Sequence, residues 1–147
     1  MLIKKIKGKD IDSLYKIGLE EFKGEFWFTK RFLKETIGNP GYHYGAFEKD
    51  KLIGGILVKR FDRPKLWIFF LAIDKNYRRK GIGTKLLKLI ESKCSENYPL
   101  IFVDLCDKMV KAKNFYTKNG FKEQAKISNW FGVNKEGLIY SKLIFTQ

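Results

Sequence analysis

An apolar run of eight residues, Leu66–Ile73, leads into a basic turn with two glycines and then into an amphipathic helical pattern over Thr84–Ser95. A run that is apolar on both faces is typical of a central strand, and it is far shorter than the roughly 20 residues that a membrane helix needs. A second apolar run, Leu100–Leu105, follows the helix. This order predicts two parallel strands joined by a right-handed crossover.

The remaining segments predict an α+β fold, with a mixed and mostly antiparallel central sheet of about seven strands and four helices. The other helices are predicted from Asp10 as N-cap to about Phe22, from Thr29 to Gly38, and over Lys108–Lys118. The other strands are predicted over Leu2–Ile6, Tyr42–Glu48, Lys51–Lys59, Lys65–Ile73, Phe121–Trp130 and Leu138–Phe145, with turns at Lys49-Asp50 and Asp62-Arg63-Pro64.

Composition fits one domain spanning residues 1–147, because 44% hydrophobic residues can bury a substantial core. The segment Met1–Lys9 has no apolar stretch of the kind found in secretory signals, so we expect a cytoplasmic protein. The formal net charge of +14 favours anionic partners, such as nucleic acid, acidic protein surfaces or a polyphosphate cofactor. The lysines are spread along the whole chain, which favours a solvated surface over a dedicated groove.

Metal binding is not expected, because the two cysteines, Cys94 and Cys106, lack the spacing of metal ligands. The single histidine, His43, lies on a predicted strand, and we expect it to be structural there. Neither cysteine has a histidine nearby in sequence, so a cysteine nucleophile activated by a histidine is not predicted.

The glycine turn has the chemistry of an anion site. It reads Tyr77-Arg78-Arg79-Lys80-Gly81-Ile82-Gly83-Thr84. The first N–H groups of a helix lack internal acceptors, and glycines without a Cβ allow a phosphate to approach the backbone. A Walker loop is excluded because its glycine and lysine order differs, and a dinucleotide fingerprint lacks its third glycine. A turn that merely reverses the chain is the remaining structural alternative.

Two motifs in register resemble the GCN5-related N-acetyltransferase (GNAT) family. The first is Arg78-x-x-Gly81-x-Gly83, and the second is Ala112-x-x-Phe115-Tyr116-x-Lys118-x-Gly120-Phe121. The resemblance covers nearly the whole chain. It implies an acetyl-CoA-dependent transferase that moves an acetyl group directly to a primary amine, without a metal.

The resemblance also implies where the coenzyme lies. The pantetheine would pair with the backbone of the strand end, at Leu71, Ala72 and Ile73. The pyrophosphate would meet backbone amides of the turn, and a lysine such as Lys80 would meet the ribose phosphate. The predicted turn residues are Arg78, Arg79, Lys80, Gly81, Ile82, Gly83 and Thr84.

Tyr116 corresponds to the family's tyrosine that protonates the departing thiolate. A phenol has an ordinary pKa of about 10, so it can donate a proton to a thiolate of similar basicity. Packing in the core is the alternative role for this ring. One departure from the family pattern is Met109, where many relatives carry an asparagine that contacts the cofactor or a water.

The base that takes the amine's proton is predicted to be Asp104, the one acid in the otherwise apolar run around it. In the branch that resembles ribosomal-protein N-terminal acetyltransferases, an acid at this spacing acts as base. Helix capping or pairing with a lysine is the alternative. The resemblance places the acceptor site between the first two helices, at Glu21, Phe26 and Trp27, with glutamates there as second-choice bases.

The acceptor itself stays open. It is an amine on a small molecule, a peptide or a protein, and either an N-terminal acetyltransferase resembling the ribosomal-protein enzymes or a small-molecule acetyltransferase fits. Two readings from other classes are a basic nucleic-acid-binding module and an acyl-CoA sensor. Nucleic acid and membrane are not the expected partners, and a homodimer through the aromatic C-terminal strands is left open.

Overall fold

The computed structural model describes residues 1–62 and 64–145, so Arg63 in the predicted turn before Lys65 lies outside the described residues. The strands are β1 Leu2–Lys5, β2 Gly41–Glu48, β3 Lys51–Arg60, β4 Lys65–Ile73, β5 Leu100–Cys106, β6 Lys122–Ile127 and β7 Gly137–Leu143. The α-helices are α1 Ile11–Phe22, α2 Lys30–Ile37, α3 Ile82–Glu91 and α4 Val110–Lys118.

The sheet has seven strands in the order β1-β2-β3-β4-β5-β7-β6, with β4 in the centre. Strands β4 and β5 are parallel, as the strand, helix, strand order predicted, and the pairs β1/β2, β2/β3, β5/β7 and β6/β7 are antiparallel. The predicted α+β fold, mostly antiparallel with about seven strands and four helices, is confirmed.

Contacts divide the chain into two compact units. The first comprises residues 1–60 and 69–93, and the second comprises the described residues within 61–68 and 94–147. The expectation of a single domain stays a prediction.

The first unit packs helix α1 through one apolar stripe. Ile11, Leu14, Ile17 and Phe22 are buried, as the helical period predicted. Asp10 precedes the helix, but its carboxylate accepts a hydrogen bond from the Lys7 N–H at 2.9 Å and does not cap α1. Thr29 does cap α2, because its hydroxyl oxygen accepts from the Phe32 N–H at 3.0 Å.

Helix α3 begins and ends earlier than the sequence pattern indicated. It starts at Ile82 because Gly81 adopts a left-handed conformation, with φ of 76°, directly before the first helical residue. It ends at Glu91, so Cys94 lies outside the helix, while Leu86, Leu87 and Ile90 are buried as expected.

The second unit is built on strand β5. Its residues alternate between a buried face, with Ile101, Val103 and Leu105, and a half-buried face that carries Phe102 and Asp104. Strand β6 ends at Ile127, before Trp130, because the chain then enters a turn in which Asn129 and Asn134 have positive φ. Within the described parts of the chain, no helix is long and apolar enough to cross a membrane.

Candidate active site

The glycine turn connects the end of β4 to α3. A short 3-10 turn, Lys75–Tyr77, comes first, and the Asp74 carboxylate accepts from the Asn76 N–H at 2.9 Å at its start. Arg79 and Gly81 then both have left-handed backbone angles, with φ of 63° and 76°. Alternation of this kind turns successive N–H groups toward one point, which is the geometry of a backbone anion site.

The start of α3 offers free main-chain donors. The first helical hydrogen bond runs from the Lys85 N–H to the Gly81 carbonyl at 3.0 Å, so the N–H groups of Ile82, Gly83 and Thr84 precede the helical ladder. A Cβ added at Gly81 would meet no heavy atom within 4 Å. The turn is therefore open at its glycine, and it fits a diphosphate held by backbone amides and the helix dipole.

The side chain of Arg78 is held by contacts with two other segments of the first unit. Its Nε donates to the carbonyl of Ile73 at 3.1 Å, and its Nη2 lies 3.0 Å from Oε1 of Glu21 on α1. The second contact is ionic, because the nitrogen is at ion-pair distance but is not aligned for a hydrogen bond. A contact of Arg78 with a phosphate would thus come from its amide.

The predicted coenzyme contacts all fall in the first unit. Ala72 is buried, while Leu71 and Ile73 are half-buried at the end of β4. Arg79, Lys80 and Gly81 are exposed. The structure therefore brings the strand end and the turn together in one unit, and their roles in coenzyme binding stay predictions.

The predicted acceptor-site residues also lie in the first unit, around the loop between α1 and α2. Glu21 is engaged by Arg78, and Phe26 is 73% exposed at the loop tip. Trp27 packs edge-on against Phe28 and Phe32, with ring centroids 5.9 Å and 5.2 Å away. Of the three, Phe26 is the side chain that is most accessible to an acceptor.

Asp104 is held by two tryptophans of the second unit. The Trp67 Nε1–H donates to its Oδ1 at 3.0 Å, and the Trp130 Nε1–H donates to its Oδ2 at 2.9 Å. We call these three residues the indole clamp. Each carboxylate oxygen can accept a second hydrogen bond, so the clamp fixes the group without exhausting its lone pairs.

Strand pairing positions the clamp. Trp67 is opposite Phe102 in the parallel ladder, and their rings stack with centroids 5.8 Å apart. Asp104 lies two residues beyond Phe102 and therefore on the same face of β5. Neither tryptophan was predicted as a partner of Asp104, although the indole N–H of the half-buried Trp67 needs an acceptor and Asp104 is the one acid in its strand.

Tyr116 is buried in the second unit, with 3% of its surface exposed. Its ring packs edge-on against Phe115 and Phe121, at centroid distances of 5.1 Å and 5.2 Å. Burial raises the pKa of the Tyr116 phenol above its ordinary value, and the negative charge of Asp104 raises it further. The phenol therefore keeps its proton at physiological pH.

The raised pKa of Tyr116 predicts a pH-dependent contribution to stability. Because the folded-state pKa exceeds the unfolded value of about 10, the neutral phenol contributes fully below pH of about 10, and the contribution is lost as pH rises above it. We expect Tyr116→Phe to lose less stability than the wild type between pH of about 10 and 11.5. Urea unfolding at several pH values measures this, and parallel stability curves for the two proteins would contradict it.

Met109 occupies the place of the family's asparagine and is the N-cap residue of α4. Its side chain makes no capping hydrogen bond. The departure therefore leaves the first turn of α4 without a side-chain cap.

The other polar candidates do not form a cluster. His43 Nε2 lies 3.1 Å from the carbonyl of Asn39, and Cys94 and Cys106 are half-buried. Across residues 1–62 and 64–145, no group of three or more His, Cys, Asp or Glu side chains is placed to hold a metal ion. An open cavity of about 580 Å³ in the second unit contains none of the predicted site residues. It is lined by Leu100, Phe102, Gly120, Lys122, Gln124, Ser141, Lys142 and Leu143.

Comparison with known proteins relates this fold and turn to one enzyme class. The model of the acetyltransferase (GNAT) family matches residues 10–121. An uncharacterized N-acetyltransferase of Methanocaldococcus jannaschii is 28% identical over 146 residues, which cover 97% of this chain and 91% of that protein. A proposed ribosomal protein bS18-alanine N-acetyltransferase of Bacillus subtilis is 28% identical over 94 residues, covering 64% and 62% of the two chains.

Among solved structures, Ard1 from Thermoplasma volcanium has the same fold, with a TM-score of 0.88 at 21% identity over 99% of this chain and 98% of the other. The family match thus shows an N-acetyltransferase that takes its acetyl group from acetyl-CoA. The chain belongs to the acetyltransferase (GNAT) family.

Proposed function

We propose that this enzyme acetylates the α-amino group of a peptide or protein N-terminus, with Asp104 as base and Tyr116 as acid. The observation that carries the proposal is the indole clamp, which holds one carboxylate in a fixed orientation with lone pairs left for an amine. The likeness to a relative named for alanine N-acetylation supports this choice of acceptor.

The chemistry suits an α-amine. Its pKa is near 8, whereas that of a lysine side chain is near 10.4, so a larger neutral fraction is present at pH 7 and one carboxylate suffices as base. The neutral amine nitrogen forms the C–N bond at the acetyl carbonyl, and Asp104, directly or through a water, accepts the proton that the nitrogen then loses. As the C–S bond breaks, Tyr116 gives its proton to the sulfur.

Two backbone features complete the proposed mechanism. A strand N–H near Ala72 or Ile73 donates a hydrogen bond to the carbonyl oxygen as it becomes negative, which lowers the barrier because the donor is already oriented. The turn from Arg78 to Thr84 holds the pyrophosphate, and its open Gly81 leaves room for that group.

A matched acceptor panel tests the proposal. One peptide carries a free N-terminal alanine, a second is the same peptide with a blocked N-terminus and one internal lysine, and further acceptors are a polyamine and an aminoglycoside. We expect thiol release and a mass increase of one acetyl group with the first peptide at the highest kcat/KM. Preference for any other acceptor would overturn the proposed substrate class.

The panel also distinguishes the proposed enzyme from a basic nucleic-acid-binding module, the alternative hypothesis that the net charge of +14 suggested. That reading predicts binding that weakens steeply with salt and no thiol release in any arm. An acyl-CoA sensor would bind the coenzyme and likewise release no thiol.

Replacing Asp104 with Asn tests the base. Asn keeps the shape of the carboxylate but removes its charge and proton affinity, so we expect kcat/KM to fall on the order of 10²-fold at pH 7. The remaining rate should rise with pH toward the pKa of the acceptor amine, near 8, as the neutral amine accumulates. Initial rates across pH measure both effects.

Asp107→Asn is the matched control, because this carboxylate follows directly after the end of β5 and its Oδ1 lies 3.7 Å from the Cys106 thiol. We expect Asp107→Asn to stay within about two-fold of the wild type, as a surface substitution should. Equal losses in the two variants would remove Asp104 from the role of base.

A further inference from the structure

We call the segment from Lys75 to Thr84, which includes the glycine turn, the coenzyme turn. The C-terminal turn of α1 contacts this segment through two ion pairs. Glu21 lies 3.0 Å from Arg78, with both side chains 34% exposed. Its neighbour Glu20 lies 3.7 Å from Lys75, with the two side chains 47% and 64% exposed. The pair between Glu21 and Arg78 is the shorter and the better shielded from solvent, so it is the pair that can hold the two segments in a fixed arrangement.

Arg78 joins three segments of the first unit. It lies in the turn itself, its Nε holds the carbonyl of Ile73 at the end of β4, and its Nη2 meets Glu21 on α1. The planar guanidinium holds Nε and Nη2 at fixed relative positions, so the contact of Nη2 with Glu21 also orients Nε toward the Ile73 carbonyl. The side chain of Arg78 thereby bridges the two ends of the segment from Ile73 to Arg78 and closes the segment into a loop.

The residues that follow this closure are those that shape the anion site. Arg79 is the next residue and has φ of 63°, which is uncommon for a residue with a Cβ, and Gly81 has φ of 76°. A turn with this conformation binds a ligand more tightly when it is already ordered, because less conformational entropy is then lost on binding.

We propose that Glu21 is a positioning residue for coenzyme A: it holds the Arg78 guanidinium on the Ile73 carbonyl and so fixes the turn that binds the pyrophosphate. The inference rests on the proposed function for its ligand, and it gives Glu21 a task on the coenzyme side, whereas the family resemblance places it on the acceptor side. The burial of Arg78 Nη2 makes the pairing matter, since a buried cationic nitrogen without its anion is unfavourable.

A double-mutant cycle tests the proposal, with the dissociation constant of coenzyme A measured by calorimetry. We expect Glu21→Gln to weaken binding about five-fold and Arg78→Gln about ten-fold, with the double variant within about two-fold of Arg78→Gln alone. Glu20→Gln, the matched control on the exposed pair, should stay within about two-fold of the wild type. Arg78→Lys should be intermediate, because an ammonium is a compact charge without the planar fork.

Two further readouts separate positioning from a merely structural role. With acetyl-CoA varied, Glu21→Gln should raise the KM for acetyl-CoA more than it lowers kcat. Its melting temperature without ligand should fall by at most a few degrees with the loss of the ion pair, so that the protein is folded when its affinity is measured. A lowered melting temperature with unchanged coenzyme affinity would overturn the proposal. So would independent, multiplying effects of the two substitutions, or equal effects of Glu21→Gln and Glu20→Gln.

Failure of this inference is distinguishable from failure of the proposed function. A wild-type protein that binds coenzyme A but acetylates no peptide N-terminus contradicts the proposed acceptor. The double-mutant cycle on coenzyme A affinity can still be measured in that case. A wild-type protein that acetylates the alanine peptide, with no coupling between Glu21 and Arg78, contradicts the positioning role alone.

Discussion

Tyr116→Phe is expected to lower kcat by about 10²- to 10³-fold while the affinity for coenzyme A stays within about two-fold. The substitution removes one hydroxyl and keeps the ring that packs against Phe115 and Phe121. The phenol carries its proton at physiological pH, so the substitution removes the proposed proton donor to the thiolate. Thiol release under saturating substrates measures kcat, and calorimetry measures affinity.

Tyr140→Phe provides the matched control. Tyr140 is a second buried tyrosine of the same unit, with 7% of its surface exposed on β7. Removing its hydroxyl should change stability by about 1 kcal/mol and leave kcat near the wild-type value. If Tyr116→Phe turned over as fast as this control, Tyr116 would be a packing residue and the thiolate would take its proton from elsewhere.

Gly81→Val is expected to weaken coenzyme A binding at least about 100-fold. A β-branched residue strongly disfavours the left-handed angle found here, φ of 76°, so the turn must change its backbone conformation. The new side chain would also enter the open space beside the turn, where no protein atom lies within 4 Å and where the phosphate is expected. Calorimetry with coenzyme A measures the loss.

Gly24→Val separates the loss of the anion site from general strain. Gly24 has φ of 87°, and a Cβ there also meets no heavy atom within 4 Å, yet it lies outside the coenzyme turn. The two substitutions should therefore strain the backbone alike, and only the one at Gly81 should abolish coenzyme binding. Equal losses of affinity would mean that strain in the fold, and not a closed anion site, explains the effect at Gly81.

Several structural features were predictable because they depend on neighbouring residues in the chain. The run Leu66–Ile73 predicted a central strand, and β4 is central in the sheet. Thr29 predicted the start of α2, which its hydroxyl caps. Gly120 predicted the end of α4, where it has a positive φ.

Element boundaries were less predictable. The pattern placed the start of α3 at Thr84, whereas the helix begins at Ile82, because the left-handed Gly81 places the next residue directly into helical geometry. It also continued the strand after α4 to Trp130, whereas β6 ends at Ile127 because the following turn requires positive φ at Asn129. Periodicity records which residues are apolar and does not record where the backbone changes direction.

The amino-acid sequence by itself determined the α+β fold class, the glycine turn at the start of a helix, and Asp104 and Tyr116 as candidate catalytic residues. Each of these depends on local periodicity or on side-chain chemistry. Tertiary structure decided what those groups meet. Trp67 and Trp130 reach Asp104 from positions 37 and 26 residues away, and the side chain of Arg78 meets Glu21. The pKa of Tyr116 is likewise set by burial and by a neighbouring charge, which exist only once the chain has folded.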